Sequence, residues 1–194
     1  MPLVSMSLRN SFAEAATLLT KSADAIEQSV MDAAIDCIVE ALSDSQPLLV
    51  CGNGGSAADA MHITGELVAR FLKDRRGFRA ICLSDNPVVL TAWSNDISFE
   101  TVFARQVEAY GGKGAVLLGL STSGTSRNVV AAFEQARRMH MRTIALTGEG
   151  GGSLGPLSDF LLAVPSRDTP LIQQVHLCLY HYLCEHVERR LVSL

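Results

Sequence analysis

An imidazole and a carboxylate four residues apart, His62 and Glu66, stand in the segment PLLVCGNGGSAADAMHITGELVAR, residues 47–70. On a helix that spacing puts both side chains on one face, where a carboxylate and a histidine titrating near neutral pH can exchange protons with a bound molecule. Such pairs also occur on solvated helices, and what gives this one meaning is the last apolar stretch, Ile172 to Leu183, punctuated by Gln173, His176 and His181. At 100° per residue, Gln173 and His181 would lie about 80° apart around a helix axis and about 12 Å apart along it. One regular helix therefore does not easily present both to a single ion. Either Gln173 precedes the first helical turn, or one of the two reaches a site completed by another subunit. His176 reads as a core histidine. His140, beside Arg137 and Arg138, and His186, in a charged terminal segment, read as solvated.

Two polar turns suit an anion. Asn53, Gly54 and Gly55 can adopt the positive φ of a sharp turn, and Ser56 can cap the helix that follows, leaving backbone N–H groups free to meet a phosphate or a sugar hydroxyl. Ser121, Thr122, Ser123 and Ser126 bring four hydroxyls to a second turn, without the lysine of a nucleotide-binding P-loop. A phosphate monoester held by neutral donors fits that chemistry. Each turn alone reads equally as an ordinary loop; two on one sheet edge reinforce each other.

The elements that position these residues follow from periodicity. Between about Ser7 and Leu42, Phe12, Ala16, Leu19, Ile26, Val30, Ala34, Ile38 and Leu42 recur every three or four residues, predicting an N-terminal arm (about 7–44) of one or two amphipathic helices. Such an arm suits a helical interface between copies of the chain. Short apolar runs predict strands at Pro47–Cys51, Arg79–Leu83, Ala115–Leu120, Thr143–Leu146 and Phe160–Val164. Helices alternate with them: one after Ser56, one opened by Pro87 and broken at Asn95 and Asp96, another over Phe99–Tyr110, then Asn128–Met139 and Pro170–Leu194. The expected fold is α/β, a doubly wound three-layer sandwich with a five-stranded, largely parallel sheet. Ligands in such folds sit outside the carboxyl ends of the strands, where both polar turns fall.

With 194 residues and 48% hydrophobic content, undivided by charge blocks or low-complexity runs, the chain reads as one domain, residues 1–194. A formal charge of -4 with no Lys/Arg cluster argues against a nucleic-acid surface. The five cysteines show no CxxC pair and lie mostly in apolar runs, as reduced thiols in a cytoplasm do. No basic-then-apolar leader opens the chain, and no apolar run approaches the roughly 18 residues of a membrane span. A cytoplasmic protein without membrane association is expected.

Taken together, GNGGSAADAMH, the Glu four residues after that His, Ser94-Asn95-Asp96, STSG-x-S, LTG with GG following, and DTP-x-IQ-x-x-H ending at His181 resemble the sugar isomerase (SIS) domain family, and within it the phosphoheptose isomerases. The resemblance runs from about Ser11 onward. It implies an aldose–ketose isomerase that converts sedoheptulose 7-phosphate to D-glycero-D-manno-heptose 7-phosphate, for the heptose of bacterial surface polysaccharides such as lipopolysaccharide. It implies that Asn53, Gly54, Gly55, Ser56, Asn95, Asp96, Ser121, Thr122, Ser123 and Ser126 line the phosphosugar pocket, with Glu66 and Gln173 also meeting substrate. His62, Glu66, Gln173 and His181 would hold one zinc ion, and Glu66 and His181 would be the acid/base pair. A homotetramer with sites shared between subunits is implied as well. Gln174 and Leu171 depart from the Glu and the basic residue usual at these places in the family. The alternatives are a non-catalytic interaction protein resembling the replication-initiator-associating protein, which lacks the Glu and the final His, or an isomerase of another phosphosugar.

Overall fold

The computed structural model describes residues 7–193. Two helices form the N-terminal arm, α1 (Leu8–Ala25) and α2 (Gln28–Ser43), with the break at Ile26 and Glu27. There follow β1 (Leu48–Gly52), α3 (Gly55–Val68), β2 (Ala80–Cys82), α4 (Pro87–Asp96), α5 (Val102–Tyr110), β3 (Val116–Ser121), α6 (Arg127–Arg138), β4 (Arg142–Thr147), β5 (Phe160–Ala163) and α7 (Thr169–Val192). Short 3-10 turns precede α5 and β5. Pro87 opens α4 as predicted, with the Asn86 side chain accepting from Val88 N and Val89 N.

The sheet order is β2-β1-β3-β4-β5, and every pairing is parallel. The chain winds outward from β1 in one direction and then returns past it to β3. A crevice therefore opens between the carboxyl ends of β1 and β3, where Gly52 pairs with Leu120. Alternate residues feed two cores. Leu48, Val50, Leu118, Leu120, Ile144 and Leu146 face the layer of α2, α3 and α7. Leu49, Cys51, Leu117 and Ala145 face α5 and α6. Both sides being covered explains the unbroken apolar strands.

α1 sits outside this sandwich and meets α7 through Leu18, packed with Ile172 and Val175. Leu171, the apolar departure from the family pattern, joins the edge of that cluster, and Gln174 is exposed. Phe12, counted on the apolar stripe of the arm, faces outward at 67% exposure. All five cysteines are free; Cys178 is exposed, whereas Cys51, Cys82 and Cys184 are buried. Among the described residues no helix is long and apolar enough to cross a membrane.

One buried charge joins two elements around the outer end of α3. Glu188 on α7, 1% exposed, accepts from the backbone N–H groups of Phe71, Leu72 and Lys73 and from Arg75 Nε at 2.7–2.9 Å. Burial alone would raise its pKa, but those three amides and the guanidinium outweigh it and hold the carboxyl below the ordinary glutamate value. Its stabilising contribution is thus complete above the unfolded glutamate pKa and lost as pH falls through the folded one. Glu188→Gln should be less stable than the parent at neutral pH and should lose less further stability between about pH 5 and 3; melting temperature against pH measures both. At the centre of the sheet, a Cβ on Gly119 would collide with the Phe133 ring. Gly119→Ala should lower the unfolding free energy by about 1–3 kcal/mol in denaturant titrations.

Candidate active site

The glycine turn after β1 works through one residue. Gly54 takes φ +56, and the helix begins immediately after it. Ser56 therefore lies inside the first turn of α3, buried, rather than capping it, because the positive φ of Gly54 turns the chain two residues earlier than the capping pattern suggests. No side chain caps α3, and the N–H groups of Ser56 and Ala57 donate to the carbonyls of Asn53 and Gly54 at 3.0 Å. Ser84 braces the strand end, accepting from Gly52 N at 3.2 Å and donating to Gly52 O at 2.9 Å.

Across the crevice, the serine turn joins β3 to α6. Ser121 and Ser126 exchange a hydrogen bond between hydroxyls at 3.0 Å, which takes Ser126 away from capping α6 and leaves that helix start uncapped too. Ser123 Oγ accepts from Thr125 N and Thr125 Oγ1. Gly124 has φ +65, and a Cβ there would run into the carbonyl of Gly151, so the glycine segment after β4 supports the serine turn backbone to backbone. Asn53 and Asn128 tie the two turns together by reciprocal amide bonds of 2.8 Å. Thr122 Oγ1 meets Thr169 Oγ1 at 3.2 Å, bringing in the start of α7. The crevice thus brings together the starts of α3 and α6, whose N-cap side chains make no capping bond, and several hydroxyls, neutral groups of a kind that suits an anion.

Further along α3, His62 and Glu66 face α7. His62 Nε2 lies 3.0 Å from Glu66 Oε1, and the His181 ring packs edge-on to His62 at 5.0 Å between centroids. One ligand atom from each of His62, Glu66 and His181 lies within 4.8 Å of the others. The carboxylate and the imidazole expected to act together are therefore in one cluster, within one chain. Two imidazole nitrogens and a carboxylate oxygen at such separations form a donor set chemically suited to zinc. The other nitrogen of His62, Nδ1, is engaged by Tyr180 Oη at 2.9 Å, and that hydroxyl reaches Asp59 at 3.4 Å. Burial raises the pKa of Asp59, and burial with the nearby Asp59 charge raises that of Tyr180.

Gln173 stands apart from this cluster in its own chain. α7 begins at Thr169, so Gln173 is within the helix and not ahead of its first turn, and it presses on Gly55, where a Cβ would strike its amide. Gly55 is seven residues before His62, about 10 Å along α3. Asn95 and Asp96 end α4, both exposed, with Asn95 Nδ2 donating to Asp96 Oδ1. His176 is fully buried, its Nε2 against Thr147 O, and burial lowers its pKa to about 4, so the ring is neutral. His140 is exposed, whereas His186 is half-buried and stacks on Tyr182. Sequence reasoning missed Asn128, Asp59, Tyr180, Phe71, Arg75 and Glu188. Asn128, two residues past the serine turn, was within reach of the loop reading; the others act through tertiary contacts with no local pattern.

Comparison with known proteins agrees with this arrangement. The SIS domain model matches residues 11–148. A phosphoheptose isomerase of Helicobacter pylori (strain P12) is 47% identical over 171 residues, 88% of each chain. One from Crocosphaera subtropica is 54% identical over 146 residues, 75% of this chain and 74% of its own. The structure of a phosphoheptose isomerase from Francisella tularensis superposes with a TM-score of 0.90 at 34% identity, covering 94% of this chain and 96% of the other. With its parallel sheet, its paired polar turns and His62, Glu66 and His181 in one cluster, the chain belongs to the SIS domain family and, within it, to the phosphoheptose isomerases.

Proposed function

We infer that this protein is the aldose–ketose isomerase that converts sedoheptulose 7-phosphate to D-glycero-D-manno-heptose 7-phosphate. The observation that carries the reading is the convergence of Glu66 and His181 in one cluster between α3 and α7. A binding protein on the same scaffold has no need of that pair, and the relatives matched at 47% and 54% identity are isomerases by name.

Moving a carbonyl from C2 to C1 requires taking a proton from C1, stabilising the enediolate, and returning a proton to C2. Glu66 carries the proton between the two carbons, because a carboxylate is acceptor-only when ionised and donor once protonated. His181 moves the proton between the two oxygens, an exchange for which an imidazole nitrogen can serve as both acceptor and donor. The phosphate is at the far end of the sugar from the reacting carbons. The Ser121–Ser126 turn and the start of α3, with Asn53, Gly54, Gly55 and Ser56, hold it, which converts binding energy into orientation at the other end. Asn95, Asp96 and Gln173 complete the sugar-binding groups.

His62, Glu66 and His181 would hold one zinc ion per subunit, and the resemblance adds Gln173 as a fourth ligand. Because Gln173 lies against Gly55, toward the other end of α3 in its own chain, a neighbouring subunit would supply it. Bound zinc supplies positive charge beside the oxygens on which negative charge develops. The resemblance implies a homotetramer, and the uncovered apolar side chains Leu8 and Phe12 on α1, with the groove between α1 and α7 lined by Leu19, Ile26 and Leu179, are the surfaces such an assembly would bury. The chain acts as a single domain in the cytoplasm, consistent with free cysteines, and its product feeds the heptose of surface polysaccharide such as lipopolysaccharide.

Glu66→Gln should keep phosphosugar binding and lose isomerisation by at least about a hundredfold in a coupled assay with sedoheptulose 7-phosphate. Near-parental turnover would remove Glu66 from the role of base. The double variant Ser123→Ala, Ser126→Ala should raise KM about tenfold or more while kcat changes less, since each lost hydrogen bond to a charged group is worth about 1.5–3 kcal/mol. An unchanged KM would place the phosphate elsewhere.

A further inference from the structure

The helices that carry Glu66 and His181 are joined a second time, beyond the reacting groups. Glu66 is on the last turn of α3, the part of a helix whose carbonyls have no partners within it and which frays first. Arg75 fills that vacancy at Glu66 and shares the Leu67 carbonyl with the Phe78 N–H, which donates to it at 3.0 Å. Its Nη2 donates to the Glu66 carbonyl at 2.9 Å and its Nη1 to the Leu67 carbonyl at 2.9 Å. The same guanidinium donates through Nε to Glu188, and the side chains of this pair are 5% and 1% exposed. Glu188 lies two turns past His181 on α7, so its other bonds, from the N–H groups of Phe71, Leu72 and Lys73, strap the segment after α3 onto the helix that bears His181. The strap also places the Phe71 ring 5.8 Å from the His181 ring, centre to centre.

We propose that Arg75 and Glu188 are positioning residues for the isomerisation: together they clamp the last turn of α3 to α7, set the depth of Glu66 against His181, and seat Phe71 on the imidazole. The proposal rests on the reading that Glu66 and His181 are the reacting pair. Its physical basis is the sensitivity of proton transfer to placement, since a misplacement of about 1 Å can cost about a hundredfold. A carboxylate on a fraying helix end has more freedom than that. Glu188 makes four charge-assisted bonds and Arg75 donates to two helix-end carbonyls, a density of polar contacts in a buried place that packing alone would not require. Apolar side chains of similar size would join the two helices more cheaply.

The test uses the full-length enzyme and three variants, Glu188→Gln, Arg75→Lys and Phe71→Leu, each melted first so that assays run well below its transition. In Glu188→Gln and Arg75→Lys, amide hydrogen exchange over residues 66–73 should quicken by about tenfold or more while α5 and α6 exchange as in the parent. Turnover of sedoheptulose 7-phosphate should fall about 10- to 100-fold with KM within about threefold, because the phosphate cradle lies at the other end of α3. Phe71→Leu, which keeps the Glu188 bonds, should lower kcat without the change in exchange, and it remains informative if Glu188→Gln does not fold. The proposal is overturned if folded Glu188→Gln or Arg75→Lys turns over at the parental rate, or if exchange rises uniformly through the protein, the mark of general destabilisation. Should Glu66→Gln retain full turnover, the assignment of Glu66 fails on its own, while exchange at residues 66–73 still decides whether the clamp holds that turn.

Discussion

Everything chemical in this protein depends on the face α3 presents to α7. Ala60, Ile63 and Leu67 on the first helix pack in one buried cluster with Tyr180, Leu183, Cys184 and Val187 on the second. Because the apolar positions on each helix recur every three or four residues, the residues flanking the stripe are carried to the edge of the same contact. His62 and Glu66 on α3 and His181 on α7 meet at one edge of it. The cluster is thus a by-product of a hydrophobic seam, held at the spacing that side-chain packing dictates. Tyr180 shows the coupling: its body is in the core, and its hydroxyl reaches out to His62 Nδ1.

The proposed anion cradle is built by a different logic. It uses neutral donors on turns whose backbone is constrained from beneath: Gly124 against the Gly151 carbonyl, Asn53 against Asn128, Ser84 against Gly52. A cation would bind phosphate more strongly but would also draw in any anion, whereas amides and hydroxyls at two helix starts demand shape as well as charge. Net charge contributes nothing here, since the chain is acidic overall. Local dipoles decide.

Glu188 and Arg75 illustrate how a buried ion pair differs from the pairs on the surface. Arg127 with Glu100 and Arg167 with Glu149 are largely exposed and join loops that solvent already satisfies. The Arg75–Glu188 pair is buried, and the Glu66 and Leu67 carbonyls and the amides of Phe71, Leu72 and Lys73 are drawn into its network. Its value is specificity of arrangement at the end of α3, where a looser contact would leave Glu66 free to move.

Much of the architecture was legible in the residues themselves. Five apolar runs became five strands within one or two positions, because continuously apolar segments of that length can be buried only between helix layers, and Asn86-Pro87 marked a helix start by its own capping chemistry. His62 and Glu66 were legible as a pair because helix geometry alone relates them, and the two polar turns because strand order puts them on one edge. The placement of Ser56 was misread, since whether Gly54 or Ser56 ends the turn depends on one backbone torsion that several sequences tolerate. Periodicity did not say which residue of α7 meets which residue of α3, and only the resemblance implied that His181 joins His62 and Glu66; Gln173, implied with them, lies against Gly55. Local sequence determines a helix, its faces and its ends by short-range steric and capping effects. The depth and register at which two helices dock is a property of the whole packed interior, and that alone brought Glu66, His181 and the Glu188 clamp together.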